Sequence, residues 1–229
     1  MVQASENPER LEAIGSAAAG IAHDINNQLI LIVNHISMKD SDRALAAVAR
    51  CAALTRSLLD FSRGEPVPLQ PLDPGVFLRE FLASLQLPQG VRLVADIPVS
   101  LPAIAADALT LERALTNLVS NACAAMKNSG TLTISASAHQ IEIGDSGPGI
   151  PPDWATRIFE PFFTTKGPEG TGLGLAIVRD IMRRHRGSAT VRSQPGSGAV
   201  FTLRFPAVTL KDQGVTAFKA SPRRIAPAA

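Results

Sequence analysis

Four prolines, Pro66, Pro68, Pro71 and Pro74, crowd the stretch from Gly64 to Pro74, and neither a helix interior nor a central strand can run through such a stretch. The chain therefore divides into two halves, and the hydrophobic spacing differs between them. Upstream, Ile14, Ala18, Ile21, Ile25, Leu29, Ile32 and Ile36 recur at steps of three and four. That spacing predicts one amphipathic helix from Leu11 to about Met38. The polar run Lys39 to Asp42 is a turn, and Leu45, Val48, Ala52, Leu58, Leu59 and Phe61 mark a second helix. Two helices cannot enclose both apolar stripes, whereas two such hairpins paired as a four-helix bundle can. A homodimer is thus part of the expected fold.

Downstream the texture changes. Helical patterns near 75–87, 107–127 and 171–186 alternate with β-patterned runs at Arg92–Asp96, Thr131–Ser137, Gln140–Gly144, Ala189–Ser193 and Ala199–Phe205. This order predicts an α/β sandwich, helices layered on one sheet. The expected organisation is a helical hairpin over 8–64, a linker over 65–75, an α/β domain over 76–208 and a mobile tail over 209–229.

Composition excludes several classes. A net charge of +2 does not call for nucleic acid, and Arg183, Arg184 and Arg186 read as cations at the negative end of a helix. The longest aliphatic run, Leu29 to Val33, is far short of the ~18 residues of a membrane span. The polar start, Met1 to Arg10, lacks a signal-peptide core, so the chain is expected in the cytoplasm. Cys51 and Cys123 have no partner at metal-ligand spacing and read as core residues.

Three motifs follow in order in the second half: Asn117-Leu-Val-Ser-Asn121-Ala, Asp145-Ser-Gly147-Pro-Gly149-Ile and Gly170-Thr171-Gly172-Leu173-Gly174-Leu. They resemble the N, G1 and G2 boxes of the GHKL ATPase superfamily shared by gyrase, Hsp90, MutL and histidine kinases. The segment Phe159 to Lys166 lies between the last two. The resemblance implies ATP and Mg²⁺ as cofactors. It assigns Asp145 to the adenine amino group and Asn121 to the metal. Gly147 and Gly149 permit a tight turn beside the base. Gly170, Thr171, Gly172, Leu173 and Gly174 precede a helix whose N-terminal N–H groups can meet phosphate. Asn117 and Asn121, four apart, share a helix face. Lys166 can offer a cation to the terminal phosphate.

The acceptor is the next question. In the hydrolysing branches a glutamate stands four residues before the metal asparagine as general base. Here Asn117 holds that place, and an amide cannot take a proton at pH 7. Upstream, Ala19-Gly-Ile-Ala-His23-Asp24-Ile-Asn26-Asn27-Gln28-Leu29 resembles the H box of sensor histidine kinases, closest to the nitrogen-regulation type. His23 lies ~200° around the helix from Ile21, which aims its imidazole away from the apolar stripe. His35, His139 and His185 carry no such motif and read as structural or surface residues. Asp24 can accept from one imidazole nitrogen, freeing the other to attack the γ-phosphorus. Asn27, four residues after His23, matches the position that in relatives orients water for regulator dephosphorylation.

The resemblance thus implies a histidine kinase that phosphorylates His23 and passes the group to the receiver domain of a response regulator, with the signal from a separate sensory protein or a missing input domain. Two alternatives stand beside it: an ATP-hydrolysing GHKL switch, and a non-enzymatic dimeric phosphotransfer adaptor. The chain departs from the usual pattern in having Asp24 for glutamate, Gln28 for proline and a short hairpin.

Overall fold

A computed structural model describes Ile25, residues 29–38, 40–45, 47–48, Cys51, Thr55, 67–165 and 172–207. His23, Asp24, Asn27, Lys166, Gly170 and Thr171 lie outside the described residues, as does the expected tail. In the first half, residues 29–37 and 41–45 are helical, as are Ala47, Val48, Cys51 and Thr55. Asp40 separates the two runs, and its carboxylate accepts the Arg43 N–H at 3.2 Å.

The second half opens inside the proline-rich stretch. Strand β1, Gln70–Leu72, pairs antiparallel with β3, Ile104–Ala106. Helix α1, Pro74–Ser84, starts at a proline because the first helical turn has no N–H partner to lose. The Asp73 carboxylate caps it, accepting from Gly75 N at 2.8 Å and Val76 N at 3.1 Å. Prolines 71 and 74 are therefore part of the folded unit.

The remaining elements are β2 (Gly90–Asp96), α2 (Ala108–Ala125), β4 (Ser129–Ser137), β5 (Gln140–Asp145), the single turn α3 (Pro152–Ala155), α4 (Gly174–Arg184), β6 (Ser188–Ser193) and β7 (Ala199–Arg204). Five strands form one sheet in the order β2-β4-β5-β7-β6. The β2–β4 pair is parallel and the others antiparallel. Alternation does the sorting: Leu132, Ile134, Ile141, Ile143, Phe201 and Leu203 point to one face and are buried. On that face lie Leu111, Leu115 and Leu118 of α2, each fully buried, with Ile177, Val178 and Ile181 of α4. Each such leucine contributes about 1.5–3 kcal/mol through burial. Cys123 belongs to this core.

Two histidines and the arginine cluster resolve locally. His185 is buried rather than on the surface, while His139 sits at the β4–β5 turn with φ 58. Arg183 and Arg184 both pair with Asp180 one turn back in α4. Ile25 packs against the core cluster of the second half. Among the described residues no helix is long and apolar enough to cross a membrane.

Candidate nucleotide site

The site forms where α2, the end of β5 and the start of α4 meet. Helix α2 is fixed at its N-terminus by the Asp107 carboxylate, which accepts from Thr110 N at 2.9 Å. With Leu111, Leu115 and Leu118 turned to the core, Asn117 and Asn121 fall on the flank that faces the cleft. Asn117 donates its amide N–H to the Arg113 carbonyl at 3.0 Å, which leaves its oxygen toward Gly174. A side chain on Gly174 would stand 3.3 Å from Asn117 Oδ1 and 3.4 Å from Asn121 Nδ2. The first residue of α4 is thus held directly over both asparagines.

Asp145 ends β5. Its Oδ1 accepts the Gly147 N–H at 2.8 Å, closing an Asx turn that aims the carboxylate into the cleft. Burial pushes the Asp145 carboxyl above its ordinary value, while the N–H groups of Gly147 and Ala199 pull it back toward the charged form. Gly149 has φ +74 and its Cα faces the Gln194 carbonyl so closely that a Cβ would overlap it. Gly172, at φ +63, backs onto the main chain of Phe162, whose N–H donates to the Gly172 carbonyl at 2.9 Å. Phe162 is itself left-handed, at φ 67.

Helix α4 begins at Gly174, no side chain caps it, and Leu173 before it is buried in the core. Leu173 is not among the residues that line the cleft, and its buried side chain leaves only its main chain to face a ligand. Uncapped N–H groups at a helix start favour an anion.

These elements enclose a cleft of about 520 Å³. Asn117, Asn121 and Asp145 supply polar groups to its lining, and Ile150, Trp154, Ile158, Phe163 and Phe201 supply an apolar wall. Such a mix, apolar flanks with a few convergent polar groups, suits an aromatic base with a charged tail. Asp145 is the one carboxylate among the described lining residues. No cluster of three His, Cys, Asp or Glu occurs among the described residues, and the amide oxygens the cleft offers a metal belong to Asn117 and Asn121, to be completed by ligand oxygens and water. That sparse donor set fits Mg²⁺, which keeps several waters and shares phosphate oxygens.

Sequence reasoning missed the apolar wall. Trp154 and Phe163 meet edge to face at 6.3 Å, and Arg157 lies 4.9 Å over the Phe163 ring. It also missed the β6–β7 turn, whose signal was the Pro195-Gly-Ser-Gly198 run.

Residues 106–209 match the family of histidine kinase-, DNA gyrase B- and HSP90-like ATPases. The sensor histidine kinase ZraS of Escherichia coli is 34% identical over 234 residues, covering 89% of this chain and 48% of that protein. The signal transduction histidine-protein kinase AtoS of Escherichia coli is 33% identical, over 86% of this chain and 36% of that protein. The chain thus spans about half the length of ZraS or less of these relatives. In fold it resembles the histidine kinase ThkA in complex with the response regulator protein TrrA, with a TM-score of 0.71, 23% identity, and coverage of 92% of this chain and 66% of that one.

Proposed function

Because this chain belongs to the sensor histidine kinase family, we propose that it binds ATP in the cleft and transfers the γ-phosphoryl group to its own His23 and then to an aspartate of a response regulator receiver domain. The observation that carries this reading is the carboxylate inventory of the cleft. Asp145, tied down by Gly147, is the one acid among the described lining residues, and the position of a hydrolytic base is held by Asn117. Water then has no general base, and an acceptor brought by the protein is favoured.

In this scheme the Asp145 carboxylate accepts the adenine 6-amino group. The apolar wall holds the base, and the start of α4 receives phosphate. Gly170, Thr171 and Lys166 complete the phosphate contacts. Asn121 would offer its side-chain oxygen to Mg²⁺, which neutralises phosphate charge when bound. One nitrogen of His23, its other N–H held by Asp24, attacks the γ-phosphorus; the bond to the β-phosphate oxygen breaks and ADP leaves. Ile25, two residues from His23, packs against the core of the ATP-binding half, which supports a docked phosphoacceptor segment.

We also propose a homodimer in the cytoplasm. Leu29, Ile30, Val33 and Ile36 are 48%, 58%, 62% and 63% exposed on a single chain, an apolar surface that a second hairpin would cover. The expected hairpin limits, 8–64, and a tail after 208 are retained as part of this proposal, with the ATP-binding half drawn from β1 rather than from residue 76, as is a sensory input from a separate protein or a further domain.

The test is the chemistry of the label. Incubation with ATP labelled in the γ-phosphate should leave phosphate on the chain that is lost in acid and kept in alkali. Release of all label as free phosphate would instead favour the hydrolysing switch, and no nucleotide binding would favour the adaptor.

A further inference from the structure

We infer that Ser193, at the end of β6, is a positioning residue for nucleotide-base selection, holding the Asp145 loop to the β6–β7 turn; the inference rests on the adenine site proposed above. One hydroxyl does two jobs. Ser193 Oγ accepts the Ile150 N–H at 2.8 Å and donates to the Gly198 carbonyl at 2.6 Å. It reaches Ile150, 43 residues earlier in sequence at the far end of the loop that begins at Asp145, and ties it to the turn that leads into β7.

The rest of the junction is main chain. Gly196 N–H donates to the Pro148 carbonyl at 2.7 Å. Gly149 backs onto the Gln194 carbonyl, and Gly198, at φ +77, backs onto the Asp145 carbonyl. Glycine is required at 149 and 198 because a Cβ at either would overlap backbone. The backbone N–H of Ala199, next to Gly198, also favours the charged form of the Asp145 carboxyl. The loop from Asp145 to Ile150 is therefore seated on the 193–199 turn, and the aim of the carboxylate follows from that seat.

Ser193 itself does not line the cleft, so its effect reaches the nucleotide only through Asp145 and Ile150, which do. Removing the hydroxyl leaves the Ile150 N–H and the Gly198 carbonyl without this partner, a loss larger than that of one ordinary hydrogen bond because both ends are orphaned. The loop then relaxes, and the carboxylate no longer meets a 6-amino group at a fixed place. Affinity for ATP falls, and so does the preference for ATP over inosine triphosphate, which carries a carbonyl oxygen at that position.

The experiment titrates the full chain with ATP and with inosine triphosphate, following Trp154, the single tryptophan, which lines the cleft. Ser193→Ala should raise the ATP Kd about tenfold and shrink the ratio of the two Kd values by about fivefold, within the cost of orphaning buried polar groups. Ser193→Thr keeps the hydroxyl and should stay within about threefold of wild type. Ser193→Cys, with weaker hydrogen bonds, serves if the alanine variant does not fold and should move both quantities in the same direction. A merely structural residue would lower the melting temperature and leave the ratio of Kd values in place. A retained ratio in folded Ser193→Ala or Ser193→Cys therefore overturns the role of Ser193. Equal binding of the two nucleotides by wild type overturns the adenine site itself, and this inference with it.

Discussion

The imidazole of His185 accepts the backbone N–H of Asp107 at 3.0 Å, tying the C-terminal end of α4 to the start of α2. Its other nitrogen faces the Ile181 carbonyl at 2.8 Å, so the neutral ring with the proton on Nδ1 satisfies both contacts. The two helices that contribute Asn117, Asn121 and Gly174 to the cleft are thereby locked at their far ends. His185→Ala orphans the Asp107 N–H and opens a cavity beside Phe205, whose ring stands 6.1 Å away. The expected loss is about 2–4 kcal/mol in urea unfolding. The folded variant should still bind ATP within about threefold of wild type, since His185 does not line the cleft.

Asp145→Asn separates binding from stability. The substitution removes a charge-assisted acceptor, and ATP affinity should fall by about 1.5–3 kcal/mol in a fluorescence titration. The unliganded protein should not be less stable at pH 7. Burial raises the Asp145 carboxyl, so the folded state favours the proton and carries a penalty once the group ionises. That penalty is absent at low pH, grows as pH rises through the raised value, and is absent from asparagine at any pH. The same sign governs binding. ATP affinity should decline as pH falls through that value, at a higher pH than an ordinary aspartate would show, and the decline should vanish in Asp145→Asn. An unchanged affinity in the variant would remove Asp145 from the site.

Gly172→Ala probes the seam between Phe162 and the glycine motif. At φ +63 an alanine pays about 1–2 kcal/mol in backbone strain. Its methyl would also overlap the Phe162 main chain, breaking the hydrogen bond from Phe162 N to Gly172 O. ATP affinity should drop at least tenfold by titration, with loss of labelling to match. Full labelling in this variant would show that the seam does not shape the site.

How much of this was legible in the sequence depends on the range of the interaction. The helical spacing that leads to α2 and the alternation that leads to β4 and β5 are local, and both are read from neighbouring residues. The asparagine and glycine motifs are local too, which is why Asn117, Asn121, Asp145, Gly149 and Gly174 can be singled out before they are seen around one cleft. Strands β1 and β3 escape because each has three residues and one holds Pro71, so pairing rather than pattern defines them. His185 escapes because its partner is 78 residues away, and nothing near it in sequence distinguishes a satisfied buried histidine from a surface one. Trp154 looks like an isolated aromatic until the fold brings it into the lining of the same cleft as Asp145.

Asn27→Ala tests reversal of the signal. Four residues after His23 on the expected helix, Asn27 can orient a water for in-line attack on a docked aspartyl phosphate without a general base. The variant should label from ATP at the wild-type rate, while loss of phosphate from the cognate receiver domain slows about tenfold or more. Equal loss of both activities, or no change in either, would reject the phosphatase role.

If the cleft delivers phosphate to His23, the phosphoryl group must be found there on the intact chain after incubation with ATP and Mg²⁺. Acid-labile phosphate should map to His23 in wild type. His23→Gln should carry none while binding ATP within about twofold of wild type, because the nucleophile and the nucleotide pocket are separate parts of the chain. Persistent acid-labile phosphate in His23→Gln, or phosphate mapped to any other residue of the wild-type chain, would show that His23 is not the acceptor.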